Sequence, residues 1–212
     1  MTKAVIFCGG TVYDYDAVSA YIDDKSYFIC ADAGIIHCNK LGIKADLWVG
    51  DFDSSDFNTY SKLPAAANAE VIRLNPMKDD TDTEYALDCA LARGYKEILL
   101  IGAMGTRFDH SLINVFLMEK AAMNNATLII ANENNIIHYV NDSSIVISKS
   151  HMKYISVIPL DEVRVTNKGF LYPLNDEILY RNSSRGISNE LLDEIGMIYI
   201  RGGSAVIIEA KD

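Results

Sequence analysis

Short apolar runs rich in β-branched and aromatic residues recur along the first 130 residues of the chain. They cover residues 4–8, 27–31, 46–49, 71–74, 97–101 and 127–131. Stretches with helical periodicity lie between these runs. Strands that alternate with helices in this way predict an α/β fold of the Rossmann-like kind, with a mainly parallel sheet covered by helices on both faces.

Two of the intervening helices have clear start signals. Thr81 and Glu84 form an S/T-x-x-E capping box, and Gly94 is predicted to end the helix that follows. A second helix is predicted over residues 111–123, with Asp109 as its cap. Its predicted apolar face comprises Leu112, Val115, Phe116 and Ala122.

The pattern changes at about residue 132, beyond which no long helical segment is evident. Strand-like segments separated by polar turns cover residues 144–148, 153–158, 162–166, 177–180, 196–201 and 204–209. The chain is therefore predicted to comprise an α/β domain over residues 1–132 and a smaller all-β sandwich domain over residues 133–212.

Composition narrows the class of protein. The 212 residues are 50% hydrophobic, yet no run of 18 apolar residues and no signal-peptide pattern occurs, so a soluble cytoplasmic protein is expected. The net charge of −10 disfavours nucleic acid and anionic membranes as partners, and a bound nucleotide would need a metal cation. The four cysteines form no C-x-x-C pair and are interpreted as buried free thiols.

The loops that follow the predicted strands carry the candidate chemistry. Ligands of open parallel sheets bind beyond the carboxyl ends of the strands, so these loops are expected to meet at one rim. Taken singly, each loop could equally be a turn or a helix cap. Together they bring four carboxylates to that rim: Asp51, Asp53, Asp79 and Asp82. Such a cluster requires compensating protons or cations, and its oxygen ligands suit Mg²⁺.

The same rim carries groups that suit a phosphate. Lys78 and Arg107 are cationic donors, and the glycine-rich backbone at Gly9, Gly10 and residues 102–105 can approach a phosphate closely. Carboxylates for metal, cations for phosphate and glycines for access are the components of a phosphoryl-transfer site. Neither a P-loop nor a G-x-G-x-x-G motif occurs, so the nucleotide must be held in a less common way.

Several segments resemble motifs of the thiamine pyrophosphokinase family, in the same order along most of the chain. Residues 50–54 resemble G-D-F-D-S, residues 78–87 resemble K-D-x-T-D-x-x-x-A-L, and residues 102–114 resemble G-x-x-G-x-R-x-D-H-x-L-x-N. In the β domain, residues 169–174 and 188–190 resemble G-L-x-Y-P-L and S-N-E. The chain has D-A-G at 32–34 and G-T-R at 105–107, where D-G-G and G-G-R are usual.

The resemblance implies attack by the thiamine hydroxyl on the β-phosphorus of ATP, with release of AMP. Asp51, Asp53, Asp79 and Asp82 would hold Mg²⁺, and Asp109 would orient the hydroxyl or receive its proton. The implied nucleotide-binding residues are Gly9, Gly10, Asp32, Lys78, Thr81, Arg107 and His110. The implied substrate-binding residues are Asp109, Asn114, Ser188 and Asn189. Relatives are dimers with thiamine bound between subunits, so a homodimer is implied.

Three rival functions stay open from the residues alone. The first is diphosphoryl transfer to another hydroxymethyl heterocycle, such as a pterin. The second is a magnesium-dependent phosphohydrolase that activates water. The third is a nucleotide-sensing module without catalysis. Ser188 and Asn189 could also form only a turn before a short helix over residues 190–194. The only tryptophan, Trp48, lies in a predicted core strand, so no aromatic contact to thiamine is assigned.

Overall fold

The computed structural model describes residues 3–52, 57–77 and 79–212, which include most of the motifs. The chain divides into two compact units, Met1–Glu133 and Asn134–Asp212. Asp53 and Lys78, both predicted site residues, lie outside the described residues.

The described residues of the first unit form six parallel strands. They are β1 (Ala4–Phe7), β2 (Tyr27–Ala31), β3 (Leu47–Gly50), β4 (Glu70–Arg73), β5 (Glu97–Ile101) and β6 (Thr127–Ala131). Their order is β4-β3-β2-β1-β5-β6, and every neighbouring pair is parallel. The predicted parallel sheet is confirmed, and each strand begins and ends within one residue of its predicted limits.

The strand order creates a crevice at one place in this sheet. The chain progresses from β1 outward through β4 and then returns to add β5 on the other side of β1. The chain continues in opposite directions across the sheet from the two adjacent strands at this switch point. The loops that follow these strands therefore diverge and make room for a ligand. The loops after β1 and β5 are the two glycine-rich segments that the sequence singled out.

Five α-helices and two short 3₁₀ helices accompany the sheet in the described part of the chain. The α-helices are α1 (Tyr15–Ser19), α2 (Ile35–Lys40), α3 (Phe57–Tyr60), α4 (Asp82–Ala92) and α5 (Phe108–Met123). The 3₁₀ helices are Asp32–Gly34 and Pro64–Ala66. None of the described helices is both long and apolar enough to cross a bilayer.

The predicted signals of α4 are confirmed. Thr81 Oγ1 accepts a hydrogen bond from the backbone N–H of Glu84 at 3.1 Å, which satisfies one of the free amides of the first turn. Gly94 adopts a φ of +85° two residues after the helix ends. Lys120 of α5 binds Glu84 at 2.9 Å and Asp88 at 2.7 Å, and so ties the two helices together.

Two predictions for α5 are wrong. The helix begins at Phe108, so Asp109 lies in the first turn instead of capping it, and its carboxylate binds Arg107. The buried side of the helix comprises Asn114, Leu117, Met118 and Ala121. Leu112 and Phe116 remain 40% and 44% exposed. Apolar residues occur on several sides of this helix, so their spacing alone did not identify the packed side.

The second unit is an all-β sandwich, as predicted. Its strands are β7 (Asn135–Asn141), β8 (Ser144–Ser148), β9 (Tyr154–Pro159), β10 (Val163–Lys168), β11 (Glu177–Leu179), β12 (Ile195–Arg201) and β13 (Ser204–Ala210). β7, β13 and β9 are antiparallel neighbours, and β11, β10, β12 and β8 form the other sheet. Inward-facing apolar side chains such as Val157, Val165 and Ile198 form its core.

Two features of this unit differ from the prediction. β7 was not predicted, because its buried positions do not alternate with exposed ones. The short helix considered over residues 190–194 is absent from the described chain. Instead Asn189 pairs with Ile155 and Leu191 pairs with Phe170 in isolated bridges.

Candidate active site

A cavity of about 680 Å³ lies beyond the carboxyl ends of the parallel strands. All five predicted loops contribute to it, as the topology of the sheet requires. The contributing residues are Gly9 and Gly10 after β1, Asp32 after β2, Asp51 after β3, Asp79 to Asp82 before and at the start of α4, and Gly102, Ala103, Gly105 and Arg107 after β5. The first unit therefore holds most of the candidate residues around one space.

Acidic residues line part of this cavity, which is here called its acidic wall. Asp51, Asp79 and Asp82 line it as predicted, and Asp80 lines it as well. Among the described residues, no three His, Cys, Asp or Glu side chains form a ready metal centre. Asp53 lies outside those residues, so the four-carboxylate cluster stays a prediction. The donor set consists of hard oxygen ligands and therefore fits Mg²⁺.

Asp32 occupies an unusual backbone conformation at the end of β2. Its φ is +47°, a region that non-glycine residues adopt at a cost of about 1–3 kcal/mol. The indole of Trp48 donates a hydrogen bond from Nε1 to the Asp32 carbonyl at 2.8 Å. Trp48 is fully buried in β3, as predicted, and this contact gives it a second role: it fixes a cavity residue.

The two glycine-rich loops touch each other at the switch point. The Gly10 N–H donates to the Gly102 carbonyl at 2.8 Å. A Cβ on Gly10 would lie 2.7 Å from the Met104 carbonyl and still closer to that of Gly102. A Cβ on Gly9 would meet only atoms of Ala33, the nearest being its Cβ at an ordinary 3.5 Å. Close approach of the loops therefore requires glycine at position 10 but not at position 9.

Arg107 and Asp109 form an ion pair at the exposed rim. Arg107 donates from Nη2 to Asp109 Oδ2 at 2.6 Å and from Nε to Oδ1 at 3.3 Å. The hydrogen bond from Arg107 lowers the pKa of Asp109 below its usual value. A carboxylate with a lowered pKa is a weaker proton acceptor, so this geometry favours a role in orienting Arg107 over a role as a base.

Three other predicted residues have defined positions around the cavity. The Thr81 hydroxyl caps α4. Asn114 is buried and donates from Nδ2 to the Ala103 carbonyl at 2.7 Å, so it supports the loop after β5. His110 is the third residue of α5, is exposed and lines the cavity. Thr81 and Asn114 thus shape the site through the backbone contacts that they make.

The cysteines behave as the sequence predicted. Cys8, Cys30 and Cys38 are buried free thiols, and Cys89 is half-buried. Cys8 borders the cavity, but burial raises the pKa of its thiol to about 12. It is therefore protonated at neutral pH and is not an activated nucleophile.

His37 is a buried residue next to the site that the sequence did not single out. Its Nε2 lies 2.8 Å from the Gly10 carbonyl, and its Nδ1 lies 2.7 Å from the Tyr15 hydroxyl. A carbonyl only accepts, so Nε2 carries the proton and Nδ1 accepts from Tyr15 in the neutral ring. Burial lowers the pKa of His37. The sequence signal that could have identified His37 was its position as a polar residue between the apolar Ile35 and Cys38 of α2.

Because of this burial, we expect the free energy of unfolding to decrease as the pH falls below about 6.5. In that range the unfolded chain binds a proton at His37 while the folded protein does not, and stability then rises with pH. Urea denaturation of the wild type and of His37→Gln at several pH values would measure this effect. The wild type should show the steeper slope below pH 6.5, since the other three histidines are common to both proteins. Equal slopes would contradict the assignment.

In the second unit, Ser188 and Asn189 have different environments. Ser188 is exposed with a φ of +56°, and its N–H donates to Ser156 Oγ at 3.0 Å. Asn189 is buried. Its Oδ1 accepts from the N–H groups of Tyr172 and Glu190, both at 2.9 Å, and its Nδ2 donates to the Tyr172 carbonyl at 2.7 Å. The Asn189 side chain therefore holds the loop at Tyr172, and the Ser188 hydroxyl lies at the surface.

Removal of these bonds by Asn189→Ala should lower the free energy of unfolding by about 1–3 kcal/mol, because the N–H groups of Tyr172 and Glu190 would lose the acceptor that the buried Asn189 side chain provides. Asn182→Ala, a substitution at an exposed turn, is the matched control and should have little effect. Chemical denaturation of both variants would measure the difference. Equal stabilities would show that the Asn189 bonds contribute nothing to this loop.

A parallel sheet whose switch-point loops gather carboxylates, glycine backbone and an arginine around one cavity is typical of enzymes that transfer phosphoryl groups. Comparison with known proteins identifies the family. Residues 18–130 match the model of the thiamin pyrophosphokinase catalytic domain. Residues 142–207 match the model of the thiamin pyrophosphokinase vitamin B1 binding domain.

Individual relatives agree with these matches. The chain is 31% identical over 210 residues to thiamine pyrophosphokinase of Bacillus subtilis (strain 168), with 98% of each chain covered. A crystal structure of the B. subtilis thiamine pyrophosphokinase superimposes with a TM-score of 0.88 at 30% identity and full coverage of both chains. That of Geobacillus thermodenitrificans gives 0.87 at 28% identity, covering 100% of this chain and 98% of the other. The chain belongs to the thiamin pyrophosphokinase family.

Proposed function

We propose that this protein transfers the β,γ-diphosphoryl group of ATP to the hydroxyl of thiamine, giving thiamine diphosphate and AMP. The observation that carries the proposal is the single cavity at the switch point, where acidic, glycine and arginine residues from five loops converge. Membership of the family supports thiamine as the acceptor. The protein would act in the cytoplasm, where ATP is available.

Asp51, Asp79 and Asp82, together with Asp53 from the same motif, would hold Mg²⁺. The metal would neutralise negative charge on the diphosphate during transfer. Without such compensation the acidic wall of the cavity would repel ATP, because both carry negative charge. Metal-dependent nucleotide binding is therefore part of the proposal.

The residues of the chain would supply position and charge. Gly10 and Gly102 let the two loops lie close together beside the cavity, and the amino-terminal turns of α4 and α5 border the same cavity, where the helix dipoles would favour a bound anion. Arg107 would bind phosphate oxygens while Asp109 keeps its guanidinium oriented. Lys78 and His110 would add further polar contacts to the nucleotide. Because the transition state of phosphoryl transfer is loose, such alignment contributes more than a strong base would.

The β-sandwich unit would select thiamine. Ser188 presents its hydroxyl at the surface in a backbone conformation that Asn189 and Ser156 stabilise. Thiamine is a cation, which suits a protein with a net charge of −10. The family resemblance supports a homodimer with thiamine bound between the subunits.

The proposal can be tested by incubating the protein with Mg²⁺, ATP and one acceptor, and separating all products by chromatography. We expect thiamine to give equal amounts of AMP and thiamine diphosphate. A pterin alcohol and a reaction without acceptor serve as controls and should give no AMP. AMP formed only with the pterin would assign a different acceptor. Phosphate released without any acceptor would instead indicate a phosphohydrolase.

A further inference from the structure

His37 contacts the two glycine loops but does not line the ligand cavity. It belongs to α2 and is only 7% exposed. The cavity is lined by Gly10 and Gly102, whereas His37 is not among its lining residues. Any effect of His37 on a bound nucleotide must therefore pass through the loops.

The contacts of His37 reach both loops. Nε2 donates to the Gly10 carbonyl at 2.8 Å. A Cβ on Gly102 would lie 3.2 Å from the same Nε2, so the imidazole packs directly against that glycine, whose φ is +68°. Gly10 in turn donates to the Gly102 carbonyl. The imidazole thus supports the point where the loops meet.

The orientation of the imidazole is itself fixed. The Tyr15 hydroxyl donates to Nδ1 at 2.7 Å, and the two rings lie with centroids 5.8 Å apart. Lys40 lies over the Tyr15 ring, with Nζ 5.0 Å from its centroid. A neutral imidazole held at Nδ1 can direct its single N–H only to Gly10. Tyr15, His37 and Gly10 therefore form a chain of hydrogen bonds that ends at the cavity wall.

We propose that His37 is a positioning residue of the nucleotide site, which fixes the loop at Gly10 in the conformation that receives the phosphates of ATP. The inference rests on the proposed function in one respect, namely that the cavity binds ATP. It does not depend on which acceptor is used. The role requires an N–H donor at the position of Nε2, and glutamine can place its amide nitrogen there.

Calorimetric titration with ATP in the presence of Mg²⁺ tests this role for the wild type, His37→Leu, His37→Gln and Tyr15→Phe. We expect His37→Leu to raise the Kd of ATP about tenfold, the effect of one lost hydrogen bond. His37→Gln should recover most of the affinity. Tyr15→Phe, which keeps the ring but loses the hydroxyl, should raise the Kd less than His37→Leu does. The affinity for thiamine should change by less than about twofold in all of them.

A residue needed only for folding would give a different result. His37→Leu would then have a lower melting temperature or a smaller fraction of binding-competent protein, while the Kd of the remaining sites stayed at the wild-type value. That outcome would overturn the proposal, as would failure of glutamine to restore affinity in a folded protein. A wild type that binds ATP but forms no thiamine diphosphate would refute the proposed function and leave this one standing. A wild type that binds no ATP would overturn both.

Discussion

Asp51→Asn is expected to lower kcat by about 100-fold or more while the protein stays folded. Asparagine has the shape of aspartate but lacks its charge, so a metal ion at the acidic wall would lose one anionic ligand. Removal of one of several like charges from the cavity should not lower the melting temperature, because it relieves repulsion. Steady-state kinetics with saturating thiamine and a series of Mg²⁺ concentrations would measure both the loss of rate and a weaker response to the metal.

Asp80→Asn is the matched control for this experiment. Asp80 lines the same cavity and is exposed, yet the family motif leaves its position open between Asp79 and Thr81. The Asp80→Asn control should change kcat by less than about threefold, which is typical of a surface charge that takes no part in catalysis. If both variants lost activity equally, the effect would come from the total charge of the wall and not from a ligand at Asp51.

Gly10→Ala is expected to have the second largest effect, on stability as well as on activity. The added methyl group would lie too close to two backbone carbonyls, of Gly102 and Met104, which cannot move aside as a flexible side chain could. Overpacking of this kind costs about 1–3 kcal/mol. The loops would have to separate, and the Kd of ATP should then rise. Thermal unfolding and nucleotide titration would measure the two effects.

Gly9→Ala provides the steric control for this substitution. Its methyl group would make only an ordinary contact with the Ala33 Cβ, so its unfolding free energy should change by no more than about 0.5 kcal/mol. A similar loss of stability in both variants would mean that the close approach at Gly10 is not the cause of the loss.

Much of the α/β unit was predictable because its signals are local. Each buried parallel strand is a short apolar run, and the capping box at Thr81 acts within one turn of α4. The position of Asp109 was not predictable in the same way. An aspartate near the start of a helix can cap the helix or bind a nearby arginine. In the structure Asp109 forms an exposed ion pair with Arg107 at 2.6 Å and does not cap α5.

The supporting residues of the candidate site could not be identified from spacing, since their contacts are distant in sequence. His37 lies 27 positions from Gly10, and Trp48 lies 16 positions from Asp32. Only the strand order, which places β1 beside β5, brings the Gly10 and Gly102 loops into contact. Asn189 illustrates the same limit. Its contact with the substrate stays a prediction, whereas its support of the loop at Tyr172, 17 positions away, was not evident from the motif.

The central claim is that the group transferred is the diphosphoryl unit of ATP. The most direct measurement is a single turnover with ATP labelled at the β-phosphorus, in the presence of Mg²⁺ and thiamine. We expect all transferred label to appear in thiamine diphosphate and the AMP formed to be unlabelled and equimolar. Label recovered in ADP, together with thiamine monophosphate, would contradict it, because the γ-phosphoryl group alone would then have moved.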